Sequence, residues 1–253
     1  MSYDEEWAKK LGVDPEKLIY SEARSINDMV DVTVALLHAG VDVIVIDSIS
    51  SLLPAVYFEK DSTELKQLDQ TKQIGSESKD LKHAWLMINY ANNREKPALI
   101  LAISQSRNNI QAMYTQPQPT GGEATRFMSS TIVKLFSSNS DNQAIKAKVK
   151  SGDKLIEQKV GRKVRWEVTN SKTSAPGDSG EYDFYYRGDF IGIDTIADLV
   201  DTAEMLGFVE RTGAWYIMPD GSKVQGKEAF VRAVKDSPEL LESIRAKVEN
   251  GEV

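Results

Sequence analysis

Apolar residues recur at two different spacings along the first hundred residues. Residues 25–39 place apolar side chains three and four positions apart and end at Gly40, which predicts a helix with glycine after its last turn. The unbroken apolar run at 41–46 is typical of a parallel strand covered on both faces. A second helical region is predicted at 62–93 and a second buried strand at 98–103. Helix followed by strand, twice, indicates an α/β core with right-handed crossovers.

The pattern of polar and apolar positions changes after the second strand. Residues 106–124 are rich in Asn, Gln, Pro and Gly and show no periodicity, which is typical of a functional or disordered loop. Alternating strands are predicted at 132–136, 164–168 and 182–186. The polar interval 137–159 predicts an exposed hairpin.

The residues from 194 onward predict a separate small α/β unit. Its predicted elements are a helix at 196–206, a hairpin strand at 214–217, and helices at 226–235 and 237–249. We therefore expect two domains, at 1–193 and 194–253.

Composition narrows the possible classes of protein. The 253 residues include 41% hydrophobic and 27% charged residues and carry a net charge of −7. That balance argues against a uniformly basic surface for nucleic acid but allows a local basic groove. The chain has no cysteine, which excludes disulfides and thiolate metal sites. No run approaches the roughly 18 apolar residues that a membrane-spanning helix needs, and the start is acidic, so we expect a cytoplasmic protein without membrane contact.

The strand at 41–46 ends in a chemically informative pair, Asp47 and Ser48. In a nucleotide-binding α/β fold, such a strand delivers an aspartate to a phosphate-bound Mg²⁺. It normally follows a G-x-x-x-x-G-K-[ST] phosphate loop, but the glycines before it are only Gly12 and Gly40. The sequence therefore predicts half of an ATP site. The alternative is that Asp47 merely caps the next turn.

Several short segments occur in an order and spacing that resembles the bacterial RecA recombinase family. They are 7–14 (WAKKLGVD), 41–48 (VDVIVIDS), 104–107 (SQSR), 120–122 (TGG), and 213–216 (GAWY) before 226–227 (GK). The resemblance covers nearly the whole chain. It implies a RecA-like P-loop NTPase core, a mostly parallel sheet flanked by helices, and a small C-terminal α/β domain. The family's phosphate loop and catalytic glutamate would lie before Met1, so the core is expected to be N-terminally truncated.

The resemblance implies three residues at the catalytic edge of the sheet. Asp47 resembles the family's Mg²⁺-side aspartate, and Ser48 would support it from the strand end. Gln105 resembles a glutamine that senses the γ-phosphate and couples it to the following loop. The alternative for Gln105 is a side chain that satisfies backbone groups at the strand end.

Further nucleotide contacts are implied outside the strand ends. Trp7 stands where the family stacks an aromatic side chain on adenine, with Asp4 nearby to meet the base edge; simple packing is the alternative. Lys172 resembles one of two lysines that reach a neighbour's ATP across a filament interface, or it is an ordinary lysine on a turn. Asn170 stands at the other lysine position, and a neutral amide cannot replace a cation there.

The loop 106–124 resembles the family's second DNA-binding loop. By this resemblance Arg107 and Arg126 would bind phosphates, and Gly121 and Gly122 would offer flexible backbone amides. Ile110, Met113 and Tyr114 would provide apolar or stacking side chains between bases. The alternative is a surface loop that is disordered without DNA. The first DNA-binding loop would fall near 55–75, where the sequence departs from the family pattern, and we assign no residue there.

The resemblance implies a RecA-like protein of homologous recombination and DNA repair that binds single-stranded DNA in an ATP-linked filament. ATP and Mg²⁺ are its expected cofactors. The family is a DNA-dependent ATPase, but this chain lacks the phosphate loop and catalytic glutamate. We expect this chain to be one half of a split gene, the product of a misassigned start codon, or a degenerate copy of a RecA-type protein. Expected partners are single-stranded DNA, further copies of the chain, an N-terminal RecA-type fragment, or a host recombinase.

Two other classes of function stay open. The first is a non-catalytic module that joins or modulates a recombinase filament. The second is another ATPase with the same core, such as a ring helicase or a clock-type ATPase. The segment from Gly213 onward argues against the second class, because it matches the recombinase tail.

Overall fold

The chain forms parallel strands in its first half and antiparallel strands in its second. The computed structural model describes residues 3–58, 64–66, 76–105, 120, 122–136, 141–151, 154–173, 176–188, 190–218 and 221–251. Its helices are α1 (Glu5–Lys10), α2 (Ile26–His38), α3 (Ser76–Ala91), α4 (Gly122–Met128), α5 (Thr195–Met205), α6 (Lys227–Asp236) and α7 (Pro238–Asn250). Its strands are β1 (Val43–Ile46), β2 (Leu99–Ala102), β3 (Thr131–Phe136), β4 (Ala144–Ser151), β5 (Lys154–Ser171), β6 (Ser179–Tyr185), β7 (Gly192–Ile193), β8 (Arg211–Thr212), β9 (Trp215–Ile217) and β10 (Lys223–Gln225). This mixture confirms the expected α/β fold class.

Helix α2 begins and ends where its sequence predicts. The Ser25 hydroxyl accepts a hydrogen bond from the Asp28 N–H at 3.0 Å, and the Asp28 carboxylate accepts one from the Ser25 N–H at 3.0 Å. This reciprocal pair satisfies two backbone donors that the first turn leaves open. At the other end Gly40 has φ +85°, a left-handed conformation that glycine adopts without strain.

Strands β1 and β2 pair in parallel, with Val43 opposite Leu99 and Val45 opposite Leu101. One face of this sheet contributes Ile44 to a core that also contains buried side chains of α2 and α3. The other face is exposed: its side chains have exposed fractions of 47–59%, and they are Val43, Val45, Leu99, Leu101 and Ile103. The expectation of cover on both faces is therefore wrong for this chain alone, because the described helices that pack on the sheet bury only one face.

A second sheet has the strand order β3-β5-β6-β7, and β4 pairs with β5. The antiparallel pair of β4 and β5 confirms the hairpin predicted at 137–159. Strand β5 is longer than the predicted strand at 164–168, because its first half pairs with β4 while residues 161–167 pair with β6.

Contacts divide the chain into two compact units. One comprises Met1–Lys134 and Val168–Asp178, and the other comprises Leu135–Glu167 and Ser179–Val253. The expected domain boundary at 193/194 stays a prediction. Residues of α5, α6, α7 and β9 form a core of their own, in which the Tyr216 and Phe230 rings stack at 4.8 Å.

Two predicted elements differ from the structure. Of the region 62–93 that was expected to be helical, Ser76–Ala91 forms α3, whereas Leu65 forms an antiparallel bridge with Phe58. The loop expected at 106–124 ends earlier, because α4 begins at Gly122. Residues 106–119 and Gly121 lie outside the described part of the chain. Among the residues that are described, no helix has the length and apolar character needed to cross a bilayer.

Candidate functional site

The expected catalytic residues lie together at the carboxyl ends of the parallel strands. Asp47 and Ser48 follow β1, and Gln105 lies three residues beyond β2. The Ile49 N–H donates to the Ile103 carbonyl at 3.0 Å, so the two chain segments stay joined past their strands. Asp47 and Gln105 are exposed, whereas Ser48 is buried, and the peptide bond between Asp47 and Ser48 is cis. This edge is where open α/β sheets bind ligands.

Ser50 joins this edge to both ends of the segment 106–119. Its hydroxyl accepts a hydrogen bond from the Gln105 N–H at 2.8 Å and lies 2.8 Å from the Thr120 hydroxyl oxygen. The Thr120 N–H donates to the Ser104 hydroxyl, also at 2.8 Å. Thr120 is 3% exposed, so its two hydrogen bonds are partly shielded from water, whereas the bond between Gln105 and Ser50 is exposed. We call Ser50, Ser104, Gln105 and Thr120 the hydroxyl cluster.

Helix α4, which follows this segment, is fixed to α3. The buried Trp85 indole N–H donates to the Thr125 hydroxyl at 3.2 Å. The Asn89 side-chain amide lies 3.7 Å from the Met128 sulfur. The residues that follow the predicted DNA loop therefore have a defined position relative to the core.

Lys172 has a local partner in this structure. Its ammonium donates to the Phe127 carbonyl at 2.6 Å, and its N–H donates to the Ser130 carbonyl at 2.8 Å. A cation at the last carbonyls of a helix is stabilised by the negative end of the helix dipole. Lys172 therefore caps α4, and its contact with a neighbour's ATP stays a prediction.

The residues expected at the adenine lie on α1. The Asp4 carboxylate accepts a hydrogen bond from the Trp7 N–H at 3.0 Å and so caps the start of this helix. Trp7 is half-buried and Asp4 is exposed. Capping gives Asp4 a structural role, and the stacking of Trp7 on a base stays a prediction.

Two of the expected DNA-binding residues fall in the described part of the chain. Gly122 begins α4 at φ +58°, and Arg126 projects from the same helix as an exposed residue next to Phe127, which is 67% exposed. The other five lie outside the described residues, namely Arg107, Ile110, Met113, Tyr114 and Gly121.

The strand-end residues fit Mg²⁺ in one particular mode. The described residues contain no cluster of three or more His, Asp or Glu side chains able to cage a metal ion. Mg²⁺ often binds one or two carboxylates together with substrate phosphates. The exposed Asp47 matches that mode, in which a nucleotide supplies most of the remaining ligands.

The sequence alone assigned no role to Ser50, Thr120 or Trp85, although Thr120 begins the segment 120–122 (TGG) that carries part of the family resemblance. Ser50 and Thr120 are 70 residues apart, and isolated hydroxyls carry no periodic signal. Their only sequence cue is position, because Ser50 follows the strand-end Asp47 and Thr120 precedes the glycine pair.

Comparison with known proteins shows the family of this chain. Residues 1–193 match the family model of the RecA N-terminal domain, and residues 197–251 match that of the RecA C-terminal domain. Protein RecA of Thermus aquaticus is 30% identical over 244 residues, which are 96% of this chain and 65% of the relative. Protein RecA of Aquifex pyrophilus is 32% identical over 247 residues, which are 97% of this chain and 64% of the relative. The chain thus spans just under two thirds of the length of these curated relatives, and it belongs to the RecA family.

Proposed function

We propose that this chain acts in homologous recombination and DNA repair as a RecA-type protein that binds single-stranded DNA in an ATP-linked filament. The observation that carries the proposal is the hydroxyl cluster. Ser50 bonds to Gln105 at the strand end and to Thr120 at the far end of the predicted DNA loop. A phosphate group bound at the strand ends and a DNA strand bound at the loop would both contact segments that the hydroxyl cluster joins, so binding of one would affect the other.

The ATP-linked part of the proposal needs a phosphate loop, which residues 1–253 do not supply. The 253 residues contain no G-x-x-x-x-G-K-[ST] sequence, so Asp47 alone would leave most of the triphosphate charge uncompensated. The exposed apolar face of β1 and β2 offers a surface for a segment that carries such a loop, since strands of parallel sheets are normally covered on both faces. In this proposal a RecA-type segment that carries the phosphate loop covers the exposed face of β1 and β2 and completes the ATP site. Bound Mg²⁺ would there neutralise phosphate charge beside Asp47.

A second candidate is a module that joins a recombinase filament without turning over ATP. It is favoured by the residues at the expected interface. Asn170 is neutral where the resemblance implies a cation, and the Lys172 ammonium already binds the Phe127 carbonyl. Such a chain would contribute DNA contacts but little charge to a neighbour's nucleotide.

The test of DNA binding is fluorescence anisotropy with a labelled single strand at several salt concentrations. Each phosphate contact contributes about −0.7 to the slope of log affinity against log salt. We expect the double variant Arg107→Ala and Arg126→Ala to make the slope shallower by roughly 1.4. Lys79 and Lys82 are exposed on α3, so their replacement by alanine removes the same charge elsewhere and should leave the slope unchanged. An unchanged slope in the arginine variant would move the DNA site away from this loop.

The test of the ATP site is turnover with and without an added RecA-type fragment that carries the phosphate loop. We expect negligible DNA-dependent ATPase activity from the chain alone. The added fragment should restore ATP binding, and Asp47→Ala should remove that gain. Ordinary turnover by the chain alone, abolished by Asp47→Ala, would show that the 253 residues already hold a working site.

A further inference from the structure

Helices α2 and α3 enclose a groove on the surface of the first unit. Its volume is about 250 Å³, and residues of both helices line it. The lining residues belong neither to the strand-end site nor to the predicted DNA loop. A ligand of this groove would therefore be an additional one.

The floor of the groove is apolar. It contains Ile26, Val30 and Ala84, which are buried and belong to the core that α2 and α3 form with β1. Met87 forms a wall and is 56% exposed. Such a floor can take the aliphatic part of a long side chain and remove apolar surface from water.

The two rims of the groove are acidic. Asp31 lies on α2 and Asp80 on α3, and the polar side chains of Asn27 and His83 complete the rims. Asp80 accepts a hydrogen bond from the Ala55 N–H through one carboxylate oxygen, at 3.2 Å. Among the residues that the structure describes, no lysine or arginine lies within 4 Å of either carboxylate. The fold thus places two acids beside one apolar channel without a described cation between them.

These features favour a cation with an aliphatic stem. The part of the chain that the structure describes has no cluster of three acidic or histidine side chains for a metal ion. At about 250 Å³ the groove is smaller than a typical small-molecule site of roughly 300–1,000 Å³. An arginine side chain fits both parts of the groove. Its methylene stem packs on apolar surface, and its planar guanidinium binds carboxylates through paired hydrogen bonds.

We propose that the groove between α2 and α3 is a docking site for an arginine side chain of another protein, bound between Asp31 and Asp80. Tyr90 follows Met87 by one helical turn and is 85% exposed, so an apolar neighbour of the arginine has a surface to pack on. The partner would lie on the helical side of the parallel sheet, away from the exposed face of β1 and β2. The inference goes beyond the proposed function and does not depend on it.

The experiment uses the full chain with ¹³C-labelled methionine methyl groups. The probe is a capped leucine-arginine-leucine tripeptide, and its affinity is measured from the broadening of its own proton signals. We expect the Met87 methyl signal, assigned with Met87→Leu, to shift during the titration. The signal of Met205, which is 79% exposed on α5, should stay in place. A tripeptide with citrulline in place of arginine keeps the shape without the charge and should not bind.

Variants that remove charge test the two rims. Asp31→Asn and Asp80→Asn keep the side-chain size and an acceptor oxygen. Each should weaken tripeptide binding by roughly tenfold, because hydrogen bonds between ionised groups are about twice as strong as neutral ones. The matched control for the pair is Asp236→Asn with Glu249→Gln, which removes two exposed acids from the second unit. It should leave binding unchanged.

A further variant fills the groove from within. Met87→Lys places an ammonium in the wall between the two acids and should abolish tripeptide binding. Lysine and methionine have similar helix propensities, and Met87 is mostly exposed, so thermal melting should not fall. Loss of binding in this variant is then separate from loss of folding.

Each contrary result overturns the proposal at a different step. An unmoved Met87 signal at saturating tripeptide would show that the groove does not take an arginine. Equal binding of the citrulline tripeptide would remove the role of charge. Full binding by the pair Asp31→Asn and Asp80→Asn would place the cation elsewhere. A Met87 shift that depends on protein concentration without tripeptide, and that this pair abolishes, would assign the groove to a second copy of the chain.

Discussion

The hydroxyl oxygens of Ser50 and Thr120 lie 2.8 Å apart although the two residues are 70 positions apart in the chain. Ser50 lies just beyond β1 and Asp47, and Thr120 precedes α4. This one bond therefore joins the expected nucleotide side of the site to the end of the predicted DNA loop. The Gln105 N–H donates to the same Ser50 oxygen at 2.8 Å.

Ser50→Ala tests this connection. The change removes the partner of the exposed Gln105 N–H and of the buried Thr120 hydroxyl. An unsatisfied polar group costs about 1–3 kcal/mol when it is shielded from water, so the cost arises at Thr120. We expect faster hydrogen exchange at the Gln105 and Thr120 amides and weaker single-strand binding. Ser51→Ala is the control, because the Ser51 hydroxyl donates to the nearby Ser48 carbonyl and so makes a local bond. Equal effects of the two changes would show that Ser50 has no special role.

Lys172 offers a test that separates a local from an intermolecular role. Lys172→Met removes the ammonium from the Phe127 carbonyl and should lower the free energy of unfolding by roughly 0.3–1 kcal/mol, while Lys172→Arg should retain most of it. Chemical denaturation measures both values. Unchanged stability of Lys172→Met, together with loss of nucleotide-dependent assembly, would contradict the capping role and favour a contact across a filament interface.

Glu204 makes the stability of the C-terminal unit depend on pH. Its carboxylate accepts hydrogen bonds from the Arg211 guanidinium at 2.7 Å and the Tyr216 hydroxyl at 2.8 Å. The Arg211 hydrogen bond chiefly lowers the pKa of Glu204, against the opposing effect of its burial. A carboxyl group with a lowered pKa adds stability above its unfolded pKa of about 4.3 and loses that contribution as the pH falls through the folded value.

We therefore expect thermal melting to show that the chain loses stability when the pH falls below about 4.3. This loss should be smaller in the variant Glu204→Gln. At neutral pH the variant should be the less stable protein. Glu210→Gln, at an exposed residue nearby in sequence, is the control and should follow the unmodified chain. Identical acid profiles for Glu204→Gln and the unmodified chain would contradict the prediction.

The exposed face of β1 and β2 predicts self-association of the chain alone. A contiguous apolar surface drives association because its burial removes it from water. The double change Val45→Lys and Leu101→Glu places opposite charges at facing positions and should shift size-exclusion profiles toward the monomer. Leu86→Lys with Met87→Glu makes the same charge change on exposed residues of α3 and should have little effect. A sharp monomer peak with two-state melting of the unmodified chain would contradict the prediction.

The sequence predicted elements that have local signals, and these are the elements that the structure confirms. Ser237 accepts from the Leu240 N–H and Pro238 opens α7, as their order in the sequence indicates. The apolar run closing on Asp47 likewise predicted a strand with a polar end.

Features that depend on distant residues were not predicted. The extent of β5 depends on which strands pair with it, and the Trp85–Thr125 bond depends on how α4 packs on α3. Lys172 shows the same limit, because its partner is a backbone carbonyl 45 residues away. Hydrophobic periodicity reports the burial of a residue but not the identity of its polar partner.

The exposed face of β1 and β2 has a consequence for residues 1–253 when they are made in a cell without a covering segment. A folded state that gains stability from a covering surface is favoured in proportion to the supply of that surface, by mass action. Copies made in excess would expose Val43, Val45 and Leu101 to chaperones and proteases, and their lifetime would shorten. The level of residues 1–253 made by themselves would then follow the supply of a covering surface, because uncovered copies would be degraded.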